Sequence, residues 1–179
     1  MSRQEYDYIV VGGGSAGCVV ATRLIEHNAG TVLLLEAGGP DSSLFHTIPA
    51  TVVKVFQQKS WPYMTIPQPH CNGREMIIAQ GKVLGGGSSV NGMIYIRGQQ
   101  EDFDEWAVPG WSARDVLPYF KRAEHNERGA DALHGQGGPL NVMDLRSPNP
   151  FLPSFVEAGV QAGYPHNSDF NGAEQEGVG

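Results

Sequence analysis

A short apolar run, Tyr6-Asp-Tyr-Ile-Val-Val11, meets a glycine cluster, Gly12-Gly-Gly-Ser-Ala-Gly17, with nothing between them. No other feature constrains the fold as much. The β-branched end of the run suits a buried parallel strand. Cys18 to Glu26 then predicts a helix, with Val19, Val20, Leu24 and Ile25 apolar and Asn28-Ala29-Gly30 as its stop. Thr31 to Leu35 is a second buried strand, ending at Glu36-Ala-Gly-Gly-Pro40. Strand, glycine turn, helix and strand within about 30 residues make one βαβ unit, so the fold class is α/β and Rossmann-like.

The spacing Gly12-x-Gly14-x-x-Gly17 is weak by itself in a chain with 24 glycines among 179 residues, and its flanking elements give it specificity. Gly12 permits the tight turn, Gly14 lets the backbone approach a pyrophosphate, and Gly17 lets helix and strand touch. The helix N-terminus offers free N–H groups and a positive dipole end to an anion. Glu36, about 20 residues further on, can accept hydrogen bonds from a ribose diol. A carboxylate there disfavours a 2′-phosphate.

Beyond Pro40 the breakers Pro49, Pro62, Pro67, Pro69 and Asn72-Gly73 predict a long irregular excursion up to Ile78, of the functional rather than idle kind. Short helices are expected at Glu101–Ala107 and from Ser112, where Ser112 and Asp115 have capping-box spacing. Pro118 interrupts that second pattern, so the helix could instead begin there. His134 to Leu145 reads as a turn followed by an extended segment. Asn149-Pro150 starts a helix with Phe151, Phe155, Ala158 and Ala162 on one face and Gly163 as its stop.

A second glycine cluster lies in Gly81-Lys-Val-Leu-Gly-Gly-Gly-Ser-Ser-Val-Asn-Gly-Met-Ile94. Such a loop can lay bare backbone amides along a flat or anionic ligand. The stretch Gly81 to Gly98 closely resembles a signature of the glucose–methanol–choline (GMC) oxidoreductase family. Tyr8 to Cys18, Leu34 to Gly38, Asp102-Phe-Asp104, Gly110-Trp111 and Asp169-Phe-Asn-Gly172 resemble the same family, in order along essentially the whole chain.

The resemblance implies a bipartite FAD enzyme that oxidises an alcohol, choline or another small primary or aliphatic one, by hydride transfer to flavin N5. Gly12, Gly14, Ser15 and Ala16 would face the pyrophosphate, and Glu36 and Ala37 the adenosine ribose. Val83, Gly87, Asn91, Gly92, Met93 and Ile94 would line the flavin. Val90 stands where some members carry a histidine that attaches FAD covalently, so the flavin is expected to be non-covalent. Residues 1–147, with the flavin-contacting loop 81–98, would belong to the FAD-binding domain, and 148–179 would begin an α+β substrate-binding domain. The family's catalytic histidine lies far towards the C-terminus of a much longer chain. No catalytic residue is therefore expected here, and a second polypeptide or a missing C-terminal part would complete the fold and the active site. Family members with lyase or photodecarboxylase chemistry share these motifs, and a non-catalytic nucleotide-binding fragment is the rival of another class.

The remaining features narrow the function by exclusion. The formal net charge of −7 argues against a grip on nucleic acid. Cys18 and Cys71 form neither a CxxC pair nor a metal spacing, so no metal is expected and a reduced interior is the default. No signal-peptide core or bilayer-spanning run occurs, which points to the cytoplasm, with peripheral membrane contact left open. His27, His46, His70, His125, His134 and His166 are expected in surface roles, His27 at a helix end. Trp61, Trp106 and Trp111 read as core or rim aromatics, and Asp102, Asp104 and Glu105 as a solvated helix face.

Overall fold

The computed structural model describes residues 4–179. They form two compact units, one within Met1–Ile94 and the other spanning Tyr95–Gly179.

The first unit opens with the expected βαβ. Strand β1 (Tyr8–Val11) and strand β2 (Val32–Leu35) pair in parallel, Tyr8 opposite Val32 and Val11 opposite Leu35. Helix α1 (Ser15–Glu26) crosses between them, with His27 as its C-cap and Asn28 in the left-handed region at φ 51°. Asp7 fastens the entry of β1 to that of β2, accepting from the Thr31 N–H and hydroxyl at 2.7 Å each. Two strands and one helix leave much apolar surface open: Ile9 is 60% exposed, Val11 83%, Val19 58% and Ile25 60%. The core of this unit is small, a cluster of Val55, Val83 and Val90.

The excursion from Pro40 to Ile78 is more regular than its breakers suggest. It holds α2 (Leu44–Thr47), a 3₁₀ turn at Pro49–Thr51, α3 (Val52–Gln58) and β3 (Ser60–Met64). Strand β3 pairs antiparallel with β4 (Ile77–Gly81), Pro62 opposite Ala79. A two-stranded ribbon consists only of edge strands, which tolerate proline, so Pro62 does not break it. Pro49 opens a helical turn, where its missing N–H costs nothing.

The second unit contains α4 (Gln100–Asp104), α5 (Ala113–Ala123), β5 (Glu124–Asn126), β6 (Leu140–Val142) and α6 (Leu152–Gln161). Helix α5 starts at Ala113 and runs through Pro118, so the alternative start at the proline is wrong. Its ends explain why. Ser112 Oγ accepts from Asp115 N–H, Asp115 reaches back to Ser112, and Lys121 and Arg122 complement the dipole in the last turn. Phe120 also packs edge-to-face on Phe103 of α4, centroids 5.8 Å apart. Strands β5 and β6 form a three-residue parallel pair, Glu124 opposite Leu140, and β6 supplies the extended segment expected before Leu145. Gly163, with φ +97°, follows the Ala162 C-cap of α6 and stops the helix, while Phe151 at its N-cap and Phe155 within it are 76% and 70% exposed. Among the described residues no helix is long and apolar enough to cross a membrane, and no group of three or more His, Cys, Asp or Glu side chains is arranged to hold a metal ion.

Candidate functional site

The glycine turn after β1 is built almost entirely from backbone. Gly12 adopts φ +97°, which an L side chain rarely does, and its N–H donates to Leu35 O at 2.7 Å. Glu36 closes the turn from the tip of β2: its carboxylate accepts from Gly13 N–H at 2.7 Å and Gly38 N–H at 2.8 Å. An ionised carboxylate has about four lone-pair sites, so two remain for a ribose diol. Cys18 donates its thiol to Gly13 O at 3.2 Å and is a packed residue rather than a free nucleophile. Helix α1 has Gly14 as its N-cap and no side-chain cap. Its first i→i−4 bond is Cys18 N–H to Gly14 O, so the amides of Ser15, Ala16 and Gly17 lie ahead of the helical ladder.

The second glycine segment lies directly against the first. Gly85 N–H donates to Gly13 O at 2.7 Å and Leu84 N–H to Gly39 O at 2.9 Å, with parallel bridges Gly14–Gly85 and Gly39–Val83. Two motifs far apart in sequence thus become neighbouring strands of backbone. The glycines divide into two groups by what a Cβ would meet. At Gly17 it would overlap Gly12 O, at Gly38 Lys82 O and at Gly81 Gly86 O, while at Gly86 it would come within 2.7 Å of Gly14 Cα. Those positions are glycine because the chain packs there. At Gly87 and Gly92 a Cβ would meet nothing within 4 Å, and at Gly14 only Gly86 Cα at 3.9 Å. At Gly14, Gly87 and Gly92 backbone φ lies outside the left-handed region as well. Neither strain nor internal packing calls for glycine at these three positions. Bare backbone facing open space is what a closely approaching ligand needs, and the residues present fit FAD in this respect.

Past the ribbon, Asn91 Oδ1 accepts from Met93 N–H at 2.9 Å and holds Met93 at φ +61°. Met93 and Ile94 are 63% and 81% exposed, apolar surface suited to a flat aromatic ligand. Of the residues expected to touch the flavin, Val83 is placed differently: it is fully buried in the Val55–Val90 cluster and offers no surface to a ligand. It supports the ribbon from behind, because Val83 is part of the buried apolar cluster with Val55 and Val90. Beside the loop, Asp41, His46, Pro49, Ser88 and Asn91 help to line a cavity of about 220 Å³. Trp61 stacks with Tyr63, centroids 6.0 Å apart, and carries Lys82 Nζ 3.9 Å from its ring centre.

Other polar residues depart from expectation in informative ways. Asp102 and Asp104 do sit in solvent, but both cap backbone, accepting from Gln99 N–H at 2.8 Å and Ala113 N–H at 2.9 Å. Trp106 and Trp111 are rim aromatics, each about half exposed. His134 contradicts the surface reading. It is 6% exposed, with Glu124 Oε1 3.0 Å from Nδ1 and Asp169 Oδ2 2.9 Å from Nε2. Glu124 is wholly buried and also accepts from Arg97 Nη2 and Gly135 N–H, each at 2.8 Å. Burial pushes the Glu124 carboxyl up, but Gly135 N–H, His134, Asn126 and Arg97 together hold it below its ordinary value. Burial likewise pushes His134 down, and the Glu124 and Asp169 carboxylates overcome it, raising the imidazole. No sequence pattern marks this cluster, since its members meet only through the β5–β6 pair and the turn at Asp169.

Comparison with known proteins places this geometry. The family described as GMC oxidoreductase matches residues 6–179. An oxygen-dependent choline dehydrogenase of Pseudomonas fluorescens (strain SBW25) is 51% identical over 185 residues, covering 98% of this chain and 33% of the relative. One from Xanthomonas euvesicatoria pv. vesicatoria (strain 85-10) is 52% identical over 186 residues, covering 99% and 34%. The chain therefore spans about a third of the length of the curated relatives it matches. Among solved structures, pyridoxine 4-oxidase from Mesorbium loti superposes with a TM-score of 0.88 at 34% identity, over 97% of this chain and 35% of that one. A formate oxidase superposes with a TM-score of 0.83 at 27% identity, over 97% and 33%.

Proposed function

The chain belongs to the GMC oxidoreductase family, and we propose on that footing that it is the FAD-binding portion of a flavin-dependent oxidoreductase acting on the CH–OH group of an alcohol. The observation that carries this reading is the pairing of the two glycine segments, with open backbone at Gly14, Gly87 and Gly92. Gly12, Gly14, Ser15 and Ala16 face the pyrophosphate, with the uncapped amides of Ser15 and Ala16 at the positive end of α1. Glu36 and the neighbouring Ala37 take the adenosine ribose. Gly87, Asn91, Gly92, Met93 and Ile94 line the flavin.

Bound FAD would supply the acceptor for the hydride that leaves the alcohol carbon. This chain binds and orients that group and fixes amide dipoles around it, which favours negative charge without reorganisation. The proton of the alcohol is taken by a base outside residues 1–179, in the part of the protein that also covers the open faces of β1 and α1. We assign residues 1–147 to the FAD-binding domain and 148–179 to the start of the substrate-binding domain, and place the protein in the cytoplasm. With valine at position 90, the flavin is held without a covalent bond.

Choline and other small primary alcohols are the substrates to test, because choline dehydrogenases stand among the relatives. The full-length protein that carries this chain should show flavin absorption near ~370 and ~450 nm, the bands of the cofactor carrying the chemistry. Anaerobic choline should bleach them, and denaturation should release the flavin into solution. A colourless protein, or flavin that no alcohol bleaches, would defeat the proposal. Flavin that precipitates with the polypeptide would defeat its non-covalent part.

A further inference from the structure

Within the second unit, one group of side chains is arranged more closely than the cofactor role requires. His134 has a carboxylate at each ring nitrogen, Glu124 at 3.0 Å and Asp169 at 2.9 Å. Asn126 Nδ2 also lies 3.0 Å from Nδ1 and 3.1 Å from Glu124 Oε1. Two hydrogen-bond arrangements are therefore available on the same heavy atoms. In the charged form, Nδ1–H donates to Glu124 and Nε2–H to Asp169. In the neutral form, Nε2–H still donates to Asp169, while Nδ1 accepts from Asn126.

Charge decides between them. Arg97 contributes +1, while Glu124 and Asp169 contribute −1 each, so the cluster carries a net −1 until His134 takes a proton. The groups around it cancel. Asp131 accepts from the Leu133 and His134 N–H groups, and Lys121 donates to the carbonyls of Asp131 and Ala132. Arg128 pairs with Asp144 and donates to Ser168 O. Largely buried and next to two anions, the imidazole is driven towards its charged form.

What the cluster holds is equally specific. Asp169 begins the turn Asp169-Phe-Asn-Gly172, whose Asn171 accepts from Arg97 N–H and donates to Tyr95 O at 2.8 and 2.9 Å. Gln175 donates to Arg97 O at 2.7 Å. This segment, through Phe170, Asn171 and Gln175, forms one wall of a cavity of about 650 Å³ whose other walls include Phe103, Leu117 and Phe120.

We propose that His134 is a proton-operated clasp, which in its charged form pins the Asp169–Gln175 segment onto Tyr95–Arg97 through an ion pair with Asp169 and in its neutral form, with only an uncharged Nε2–H hydrogen bond left to Asp169, lets that segment loosen from the cavity. The carboxylates raise His134 above its ordinary value of 6.5, so the clasp is complete below about that pH. It weakens as pH rises through the clasped value. Between the free and clasped values the opening constant rises by up to about tenfold per pH unit.

The test uses the full-length protein that carries this chain. Hydrogen exchange of the amides from 170 to 175, corrected for the intrinsic rate, should speed up severalfold as pH rises from 6 to 9 and level off once the clasped value is passed. The same amides in His134→Gln and in Asp169→Asn should show a flat profile. Nitrogen NMR of the imidazole in the unsubstituted protein gives a second readout, independent of whether the variants fold. It should show an imidazolium at pH 6 that becomes a neutral ring with its proton on Nε2 at higher pH. A ring neutral throughout pH 5–9, one charged throughout, or one whose neutral form is protonated on Nδ1 would overturn the clasp. So would a wild-type exchange profile that does not depend on pH.

Discussion

The two units build their polar sites from opposite materials. Around Gly12–Gly17 and Gly81–Gly92 the site is backbone: amides, carbonyls and missing Cβ atoms, with the Glu36 carboxylate as the main side-chain tie. Around His134 the site is side chain: Arg97, Glu124, Asn126, His134 and Asp169, linked by bonds of 2.8–3.1 Å. A backbone site is sensitive to added volume and largely indifferent to charge. A side-chain site is sensitive to lost charge, because the partner left behind stays buried. Substitutions that add a methyl group and substitutions that remove a charge should therefore sort the two units cleanly.

The largest effect is expected at Glu124. Glu124→Gln keeps the shape but strips the counter-charge from Arg97, whose side chain is only 8% exposed. An uncompensated buried charge costs about 3–5 kcal/mol. Denaturant unfolding should show the midpoint of the second unit falling, with flavin binding by the first unit changed far less. A loss of flavin matching the loss of stability would break the comparison, because it would make the polar cluster part of the cofactor site.

Next come the packed glycines. Gly86→Ala brings a Cβ to 2.7 Å from Gly14 Cα, and Gly17→Ala drives one into Gly12 O. Overpacking of this kind typically costs about 1–3 kcal/mol. Thermal melts should fall and flavin content should fall with them. Gly87→Ala is the control that sharpens the point, since its Cβ meets no protein atom within 4 Å. It should leave the melt of the flavin-free protein within about 0.5 kcal/mol of the parent, as ordinary surface changes do, yet weaken flavin binding at least tenfold. An unchanged affinity would mean the open space at Gly87 is not where the ligand approaches.

Acid and base should separate the units too. Because Glu124 is held below its ordinary carboxyl value of 4.5, its contribution is complete above that pH and is lost as pH falls through the lowered value. Because His134 is raised, its contribution is complete below 6.5 and is lost as pH rises through the raised value. Unfolding measured across pH 3–9 should therefore show the second unit most stable between about 4.5 and 6.5. His134→Gln should remove the alkaline arm and leave the acid arm.

The difference in materials also explains what could be read in advance. Gly12, Gly14, Gly17 and Glu36 lie within one βαβ unit, where spacing along the chain fixes position in space, so both the fold of that unit and its glycine turn were legible. The Gly81–Ile94 ribbon was recognisable as a motif, but not its bridge to Gly14, which depends on how β4 returns from the β3 ribbon. Pro62 and Pro118 look like breakers, yet an edge strand and a firmly capped helix each absorb one. Glu124 and His134 were invisible for a plainer reason. A residue at the end of an amphipathic helix and another in a glycine-rich turn carry no local mark of burial. Only the three-residue pairing of β5 with β6 and the turn at Asp169 bring them together.

The smallest effect belongs to an ion pair of the same chemistry in the opposite setting. Arg23 and Glu26, one turn apart on α1, touch at 2.5 Å but are 43% and 50% exposed. Water and salt screen both ions before and after the contact forms, and two flexible side chains lose freedom to make it. Exposed helix pairs of this spacing contribute about 0.2–0.5 kcal/mol. A double-mutant cycle with Arg23→Ala and Glu26→Ala should give a coupling in that range, halved or less in 1 M salt, where the screening length shrinks to about 3 Å. The equivalent cycle on Arg97 and Glu124 should give a coupling several times larger that salt hardly alters, because Glu124 is shut off from water and Arg97 nearly so. Equal couplings for the two pairs would show that burial does not set the strength of the polar cluster, and would remove the physical ground for distinguishing the two units.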